Sequence, residues 1–256
     1  MGIRSFLFRV WYFYVNKVDK NADILFMNYG YHDENENISL DSKDEKNRYS
    51  IQLYHRLVNT VNIENKDIIE VGSGRGGGLE YVFRRFKPAK AVGFELDRTA
   101  VKFANKHHKK DGLFFRQGNA MNLNIENQSV DMVLNVESSH RYDNMEKFLS
   151  EVNRVLKPGG FFLFTDFRYP HEMLKLKRQL NDLNYNCIDE KEINENVILS
   201  LDRDSERRIN LVKKLTPVFL HKTALNFSGV IGSDTYLKIK NSSYNYFIFC
   251  LQKPMV

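Results

Sequence analysis

A short apolar run that ends in closely spaced glycines constrains this chain more than any other feature: Asp67-Ile68-Ile69-Glu70-Val71 leads directly into Gly72-Ser73-Gly74-Arg75-Gly76. A buried strand that stops at glycines and feeds a helix turns sharply. The missing side chains then let a ligand lie against the main chain near the helix N-terminus. Such a turn belongs to an open α/β sheet that binds a nucleotide. By itself it does not choose the nucleotide, because Gly72, Gly74 and Gly77 also satisfy the dinucleotide fingerprint.

The residues around the turn extend the same pattern. Helical periodicity marks residues 48–61, with Ile51, Tyr54, Leu57, Val58 and Val61 on one stripe. Short apolar runs then alternate with amphipathic stretches. Strands are expected at 67–71, 89–94, 113–117, 130–136 and 161–166, and helices at 79–86, 98–109 and 145–156. This alternation implies a mostly parallel central sheet with helices on both faces. Residues 21–47 are polar and punctuated, so they read as a loop-rich entry. Residues 171–225 read as mostly helical, with 195–201 and 206–215 as candidates. They are too long for a loop and are expected to form a helical cap over the active-site edge. Strand character returns at 244–251. The expected organisation is an N-terminal cap segment (1–62), a nucleotide-binding core (63–170), a helical substrate cap (171–235) and a C-terminal strand completing the sheet (236–256).

Composition narrows the classes. The chain has 256 residues and is 42% hydrophobic, enough to bury a full core. Two cysteines exclude a disulfide framework and a thiolate-rich zinc site; no metal is expected. A net charge of +6 points weakly to nucleic acid, but charges of both signs alternate along most of the chain, as in Lys43-Asp44-Glu45-Lys46. A solvated mixed surface explains that better than a nucleic-acid groove. Residues 1–18 combine Phe6, Phe8, Trp11, Phe13 and Tyr14 with Arg4, Arg9 and Lys17. Arg9 breaks any signal-peptide core, and Phe6 stands where a myristoylation signal needs Ser or Thr. The segment is read either as an interfacial helix making peripheral membrane contact or as a helix packing across the site. No apolar run reaches membrane-spanning length, and a cytoplasmic protein is expected.

Three features bear on the ligand. Glu70 ends the strand just before the glycines, where a carboxylate suits a ligand carrying a cation and repels a pyrophosphate. Glu95 ends the next strand, 23 residues beyond Gly72, a spacing that suits a ribose diol in either ligand class. Gly118-Asn119-Ala120 follows the third strand, where an asparagine side chain can pair with an adenine amino group and ring. Together they favour S-adenosylmethionine over a dinucleotide. Glu70-Val71-Gly72-Ser73-Gly74-Arg75-Gly76, Gly93-Phe94-Glu95-Leu96-Asp97, Gly118-Asn119-Ala120 and Leu156-Lys157-Pro158-Gly159-Gly160 resemble the ordered motifs of class I S-adenosylmethionine-dependent methyltransferases. The resemblance implies a Rossmann-like class I methyltransferase fold. Glu70, Gly72, Ser73, Gly74, Gly76, Glu95, Leu96, Asn119, Ala120 and Asn135 are then the expected cofactor residues. That family usually carries Asp at the Asn119 position, a departure expected to alter adenine contacts modestly. The competing reading of Gly76, Gly77 and Gly78 is tight helix–strand packing. Asp97 reads first as a helix N-cap, and His107 and His108 read as surface residues.

Methyl transfer to an alcohol needs an acceptor held in line and a base for its proton. The segment Asn135-Val136-Glu137-Ser138-Ser139-His140-Arg141-Tyr142 follows the fourth strand, at the edge where open α/β sheets bind ligands. His140 is the candidate base, and Asp166, at the end of the fifth strand, is its candidate partner. The segment lacks the Asn/Asp-Pro-Pro-aromatic motif of amino-directed nucleic-acid methyltransferases and lacks a nucleophilic Cys. Asn47-Arg48, Leu53-Tyr54-His55-Arg56, Gly76-Gly77-Gly78, residues 134–140 and Ile193-Asn194 resemble the mycobacterial phthiotriol and phenolphthiotriol dimycocerosate methyltransferases, which methylate a hydroxyl on a long lipid chain. The Glu-Ser-x-His segment is also similar to that of sugar O-methyltransferases. The implied activity is O-methylation of a lipid, polyketide or related small molecule. An RNA methyltransferase and a non-catalytic cofactor- or partner-binding module are the alternatives. The sequence does not determine the oligomeric state.

Overall fold

The computed structural model describes residues 14, 15 and 17–255. Seven strands form one sheet in the order β3-β2-β1-β4-β5-β7-β6. Strands β1 (Asp67–Val71), β2 (Lys90–Glu95), β3 (Leu113–Gln117), β4 (Val130–Val136) and β5 (Leu156–Arg168) are mutually parallel. β7 (Asn245–Gln252) inserts antiparallel between β5 and the edge strand β6 (Asn186–Glu192). The chain reverses its direction of strand addition between β1 and β4. Their C-terminal ends therefore open the crevice that such sheets use for ligands.

Side-chain alternation divides the core into two layers. Ile68, Leu134 and Leu163 face α1 (Arg48–Val58), α2 (Gly77–Phe86) and α3 (Arg98–His107), which contribute Ile51, Leu79 and Val101. Ile69, Val133, Phe162 and Phe164 face α4 (Met145–Val155) and α5 (Pro170–Asn181), which contribute Phe148, Leu149, Met173 and Leu176. Both faces of the central parallel strands are covered, which is why β4 reads as an almost unbroken apolar run, whereas the edge strand β3 leaves one face open at Phe114. On the second face Phe162 stacks on Phe164 at 5.1 Å between centroids, and Phe164 meets Phe247 of β7 edge-on. Burying each such ring contributes about 1.5–3 kcal/mol.

The expected strands and helices of residues 48–166 are present, with ends shifted by a few residues; β5 is longer than expected at both ends. Residues 171–225 require correction. Their first part, α5, packs against the sheet, and residues 186–192 form β6 instead of helix. The sequence Asn186-Cys187-Ile188-Asp189-Glu190-Lys191-Glu192 hides a strand because it is a charged, largely exposed edge paired on one side only. The two candidate helices at 195–201 and 206–215 are one helix, α6 (Asn194–Leu215). Asp204, buried in its middle, accepts from Arg207 and Arg208 one turn on and keeps the helix continuous through its polar centre. Then come α7 (His221–Phe227) and α8 (Asp234–Lys240). The N-terminal aromatic stretch at residues 1–13 lies outside the described residues. No helix among the described residues is long and apolar enough to cross a membrane.

Candidate active site

The turn after β1 is built as its glycines require. Gly72, Gly74 and Gly76 have φ of +79°, +54° and +84°, left-handed values that cost other residues free energy. Gly72 N and Ser73 N both donate to Phe94 O, at 2.7 and 3.1 Å, clipping the turn to the end of β2. Gly78 answers the packing reading. A Cβ there would stand 1.9 Å from Tyr54 Cζ, and the bare backbone lets Tyr54 reach across and donate to Glu70 Oε1 at 2.7 Å. Gly76 is similarly crowded, with the Phe115 ring 2.6 Å from where its Cβ would be.

The turn forms one wall of a cavity of about 360 Å³. Gly72, Ser73, Gly74, Glu95, Leu96, Asn119 and Ala120 all line it. Glu95 Oε2 accepts from Gly74 N and Oε1 from Asp97 N, which holds its carboxylate at the rim. Burial raises its pKa against these two hydrogen bonds. Asn119 Oδ1 accepts from Met121 N, so the side chain shapes its own turn. Glu70, Gly76 and Asn135 are not on the cavity surface. Asn135 is fully buried and donates to Val71 O, Ser138 Oγ and Tyr142 Oη, so it pins the turn after β1 to the loop after β4. Glu70, also fully buried, has its pKa pushed up to about 8, by burial first and by the charge of Glu95. Asp97 caps α3 through Thr99 N and also lines the cavity.

His140 and Asp166 are brought together by the ends of β4 and β5. His140 Nδ1 lies 2.7 Å from Asp166 Oδ1, and His140 N donates to Oδ2. Ser139 Oγ and an Arg168 guanidinium nitrogen also reach Oδ2, at 2.7 and 3.1 Å, and Phe167 N donates to Oδ1. Burial pushes the Asp166 carboxyl pKa up, but these partners outweigh it and hold the group well below the usual carboxylate range. An ionised carboxylate only accepts, so Nδ1 carries the ring proton and Nε2 carries the lone pair. Nε2 has no hydrogen-bond partner, and the residue lines the cavity. Burial lowers the imidazole pKa to about 4, outweighing the pull of Asp166 in the other direction. The ring is neutral at pH 7, tilted over Phe167 at 4.4 Å.

A methyltransferase-domain model matches residues 69–164. The fatty-acid O-methyltransferase of Mycolicibacterium smegmatis is 35% identical over 244 residues, covering 95% of this chain and 88% of that protein. The phthiotriol/phenolphthiotriol dimycocerosates methyltransferase of Mycobacterium tuberculosis is 34% identical over 96% of this chain and 92% of that protein. The chain belongs to this family of methyltransferases. Two solved structures share the fold at 15% identity. They are the cyclase SpnF (TM-score 0.72, covering 96% of this chain and 95% of that one) and the geranyl diphosphate C-methyltransferase of Streptomyces coelicolor (TM-score 0.68, 98% of each).

The methyl donor of this methyltransferase is S-adenosylmethionine, and the site's own chemistry fits that molecule. Behind the glycine turn, Glu70 Oε2 and Asn135 Oδ1 are buried without partners, one layer back from the cavity that Gly72, Ser73, Gly74 and Glu95 line. Other parts of the site were not legible in the sequence. Residues 23–29 cross the cavity as a strap. Its root is an ion pair between Arg75, inside the glycine turn, and Asp19, both side chains fully buried. Arg75 also covers the Phe103 ring at 3.6 Å, and Asp19 accepts from Asp23 N and Ile24 N. Glu137, at φ +44°, accepts from Tyr29 N and Tyr246 Oη, fastening the far end of the strap. Its pKa is raised to about 8 by burial. His108, expected at the surface, is instead buried against Arg75 O and Phe115, with its pKa lowered to about 4 by burial; His107 is exposed. The motif position of Glu137 was the sequence signal for these contacts, since Arg75 lies 56 residues from Asp19 and Glu137 lies 108 from Tyr29.

Proposed function

We propose that this methyltransferase transfers the methyl group of S-adenosylmethionine to a hydroxyl of a lipid or polyketide-type acceptor, with His140 as general base and Asp166 as its positioning partner. One observation carries the reading: a neutral imidazole on the cavity wall, oriented through Nδ1 by a buried carboxylate, with its Nε2 lone pair unengaged. The cofactor supplies an already electrophilic methyl group, so this chain's residues need only align the acceptor and remove its proton. A hydroxyl donates to Nε2, whereas a carboxylate oxygen would meet it lone pair to lone pair. As the oxygen bonds to the methyl carbon and that carbon's bond to sulfur breaks, releasing S-adenosylhomocysteine, Nε2 would take the hydroxyl proton and Asp166 would stabilise the imidazolium.

The glycine turn with Gly72, Ser73 and Gly74 would hold the methionine end, Glu95 and Leu96 the ribose, and Asn119 and Ala120 the adenine. Apolar residues at the rest of the cavity, Phe26, Met27, Phe167, Leu211, Leu215 and Phe227, support an acceptor with a hydrocarbon chain. So do the names of the two curated relatives. The cap over that chain would be α6 and α7, narrower than residues 171–235. Two unpaired cysteines, Cys187 exposed, fit a cytoplasmic location. The test is His140→Ala, measured by calorimetry with S-adenosylmethionine and by turnover with a long-chain alcohol. Cofactor affinity should be unchanged and turnover about 10²-fold lower or more; near-normal turnover would remove the base from the mechanism.

A further inference from the structure

The turn between α6 and α7 is the most exposed apolar feature among the described residues, and it adjoins the cavity. Val218 and Phe219 are 81% and 83% exposed. Leu215 and Thr216, immediately before them, line the cavity wall. The stretch 207–233 carries Arg207, Arg208, Lys213, Lys214 and Lys222 and no carboxylate, in a chain whose charges otherwise alternate. Arg207 and Arg208 pair with Asp204, and Lys214 with Asp23. Lys213 and Lys222 are exposed, with no ion pair among the described residues. The N-terminal sequence holds a second aromatic, basic run. Tyr14 Oη donates to Leu215 O, and residues 1–18 hold Arg4, Arg9 and Lys17, again with no carboxylate. An apolar tip flanked by two cations with no ion pair, in a stretch of chain without carboxylates, matches the interface of an anionic bilayer.

We propose that the Val218-Phe219-Leu220 turn and its flanking lysines form a docking surface for an anionic lipid bilayer, which sets the acceptor cavity beside the membrane. The proposal takes from the functional reading only that the acceptor is a lipid; the surface itself is argued from exposure and charge. Val218 and Phe219 would enter the acyl boundary while Lys213 and Lys222 meet the headgroups. A second copy of the chain fits less well, because two such faces would bring like charges together.

The experiment is co-sedimentation of the full chain with phosphatidylcholine vesicles, with and without phosphatidylglycerol, omitting any acceptor. Wild-type protein should bind the anionic vesicles and release them at high salt. Val218→Ser/Phe219→Ser should weaken binding about tenfold or more, and Lys213→Ser/Lys222→Ser about 30-fold on anionic vesicles alone. None of the four residues lines the cavity, so melting temperature and cofactor affinity should stay at wild-type values; variants that keep both are folded and the comparison stands. Absence of wild-type binding, or variants that bind like wild type, overturns the proposal. So does a lipid-free dimer that Val218→Ser/Phe219→Ser converts to monomer in sedimentation velocity. Because no turnover is read, failure here and failure of the His140 test are separable.

Discussion

Replacing Asp166 with asparagine tests the base assignment with the smallest change in shape. Oδ2 receives two donors (Ser139 Oγ and His140 N) and faces the Arg168 guanidinium charge at 3.1 Å, whereas Oδ1 receives His140 Nδ1 and Phe167 N. The introduced amide would therefore keep its oxygen at the crowded position and turn its NH2 toward His140 Nδ1. That amide donates, so the neutral ring must move its proton from Nδ1 to Nε2. Nε2, the atom proposed to take the proton, then has no lone pair to offer, although the imidazole has not moved. The whole contribution of the base should disappear, about 10²- to 10⁴-fold in kcat. This corresponds to about 2.7–5.4 kcal/mol of activation free energy. Removing the carboxylate also leaves Arg168 buried without its counter-charge, a loss that costs about 3–5 kcal/mol of stability. Single-turnover rates should therefore be compared below the variant's own melting temperature. His140→Ala provides the control, because it leaves the Asp166–Ser139–Arg168 contacts intact. A folded Asp166→Asn protein that binds S-adenosylmethionine normally and turns over within about threefold of wild type would refute the tautomer argument.

Two further outcomes follow from the same geometry. Glu70 and Glu137 have folded pKa values near 8, above their ordinary 4.5, so the stability they confer is complete below about pH 4.5 and is lost as pH rises through 8. His108 and His140 lie near 4, below 6.5, so their contribution is complete above pH 6.5 and is lost as pH falls through 4. The two effects oppose each other between pH 4.5 and 6.5, and above 6.5 only the glutamates titrate. The melting temperature of the cofactor-free protein should accordingly fall from pH 6.5 to 8, and a rise across that window would contradict the assignment. Asp19→Ala removes the carboxylate from a fully buried ion pair at the glycine turn, so it should cost about 3–5 kcal/mol in urea unfolding and weaken cofactor binding as the strap loosens. A cost under about 1 kcal/mol would mean that the pair does not anchor the strap.

The sequence by itself determined the parallel part of the sheet and the glycine turn that walls the cavity, because both rest on local rules. Strand and helix periods are written over a few residues. A left-handed turn favours glycine where it occurs, and Gly72, Gly74 and Gly76 announce it. His140 and Asp166 were legible for a related reason: the ends of neighbouring parallel strands meet in any sheet of this topology. Tertiary structure decided what depends on distant partners. The strap at residues 23–29 has no pattern of its own and is ordered by Asp19–Arg75 at one end and Tyr29–Glu137 at the other, pairs 56 and 108 residues apart in the chain. β6 is charged and one-sided, and only the placement of β7 beside it makes it a strand. Glu70 and Asn135 carried the right motif positions but not the expected direct contact with the cavity. Tyr54 reaches Glu70 from α1, and Asn135 faces Val71, contacts set by packing between elements and absent from any local sequence period.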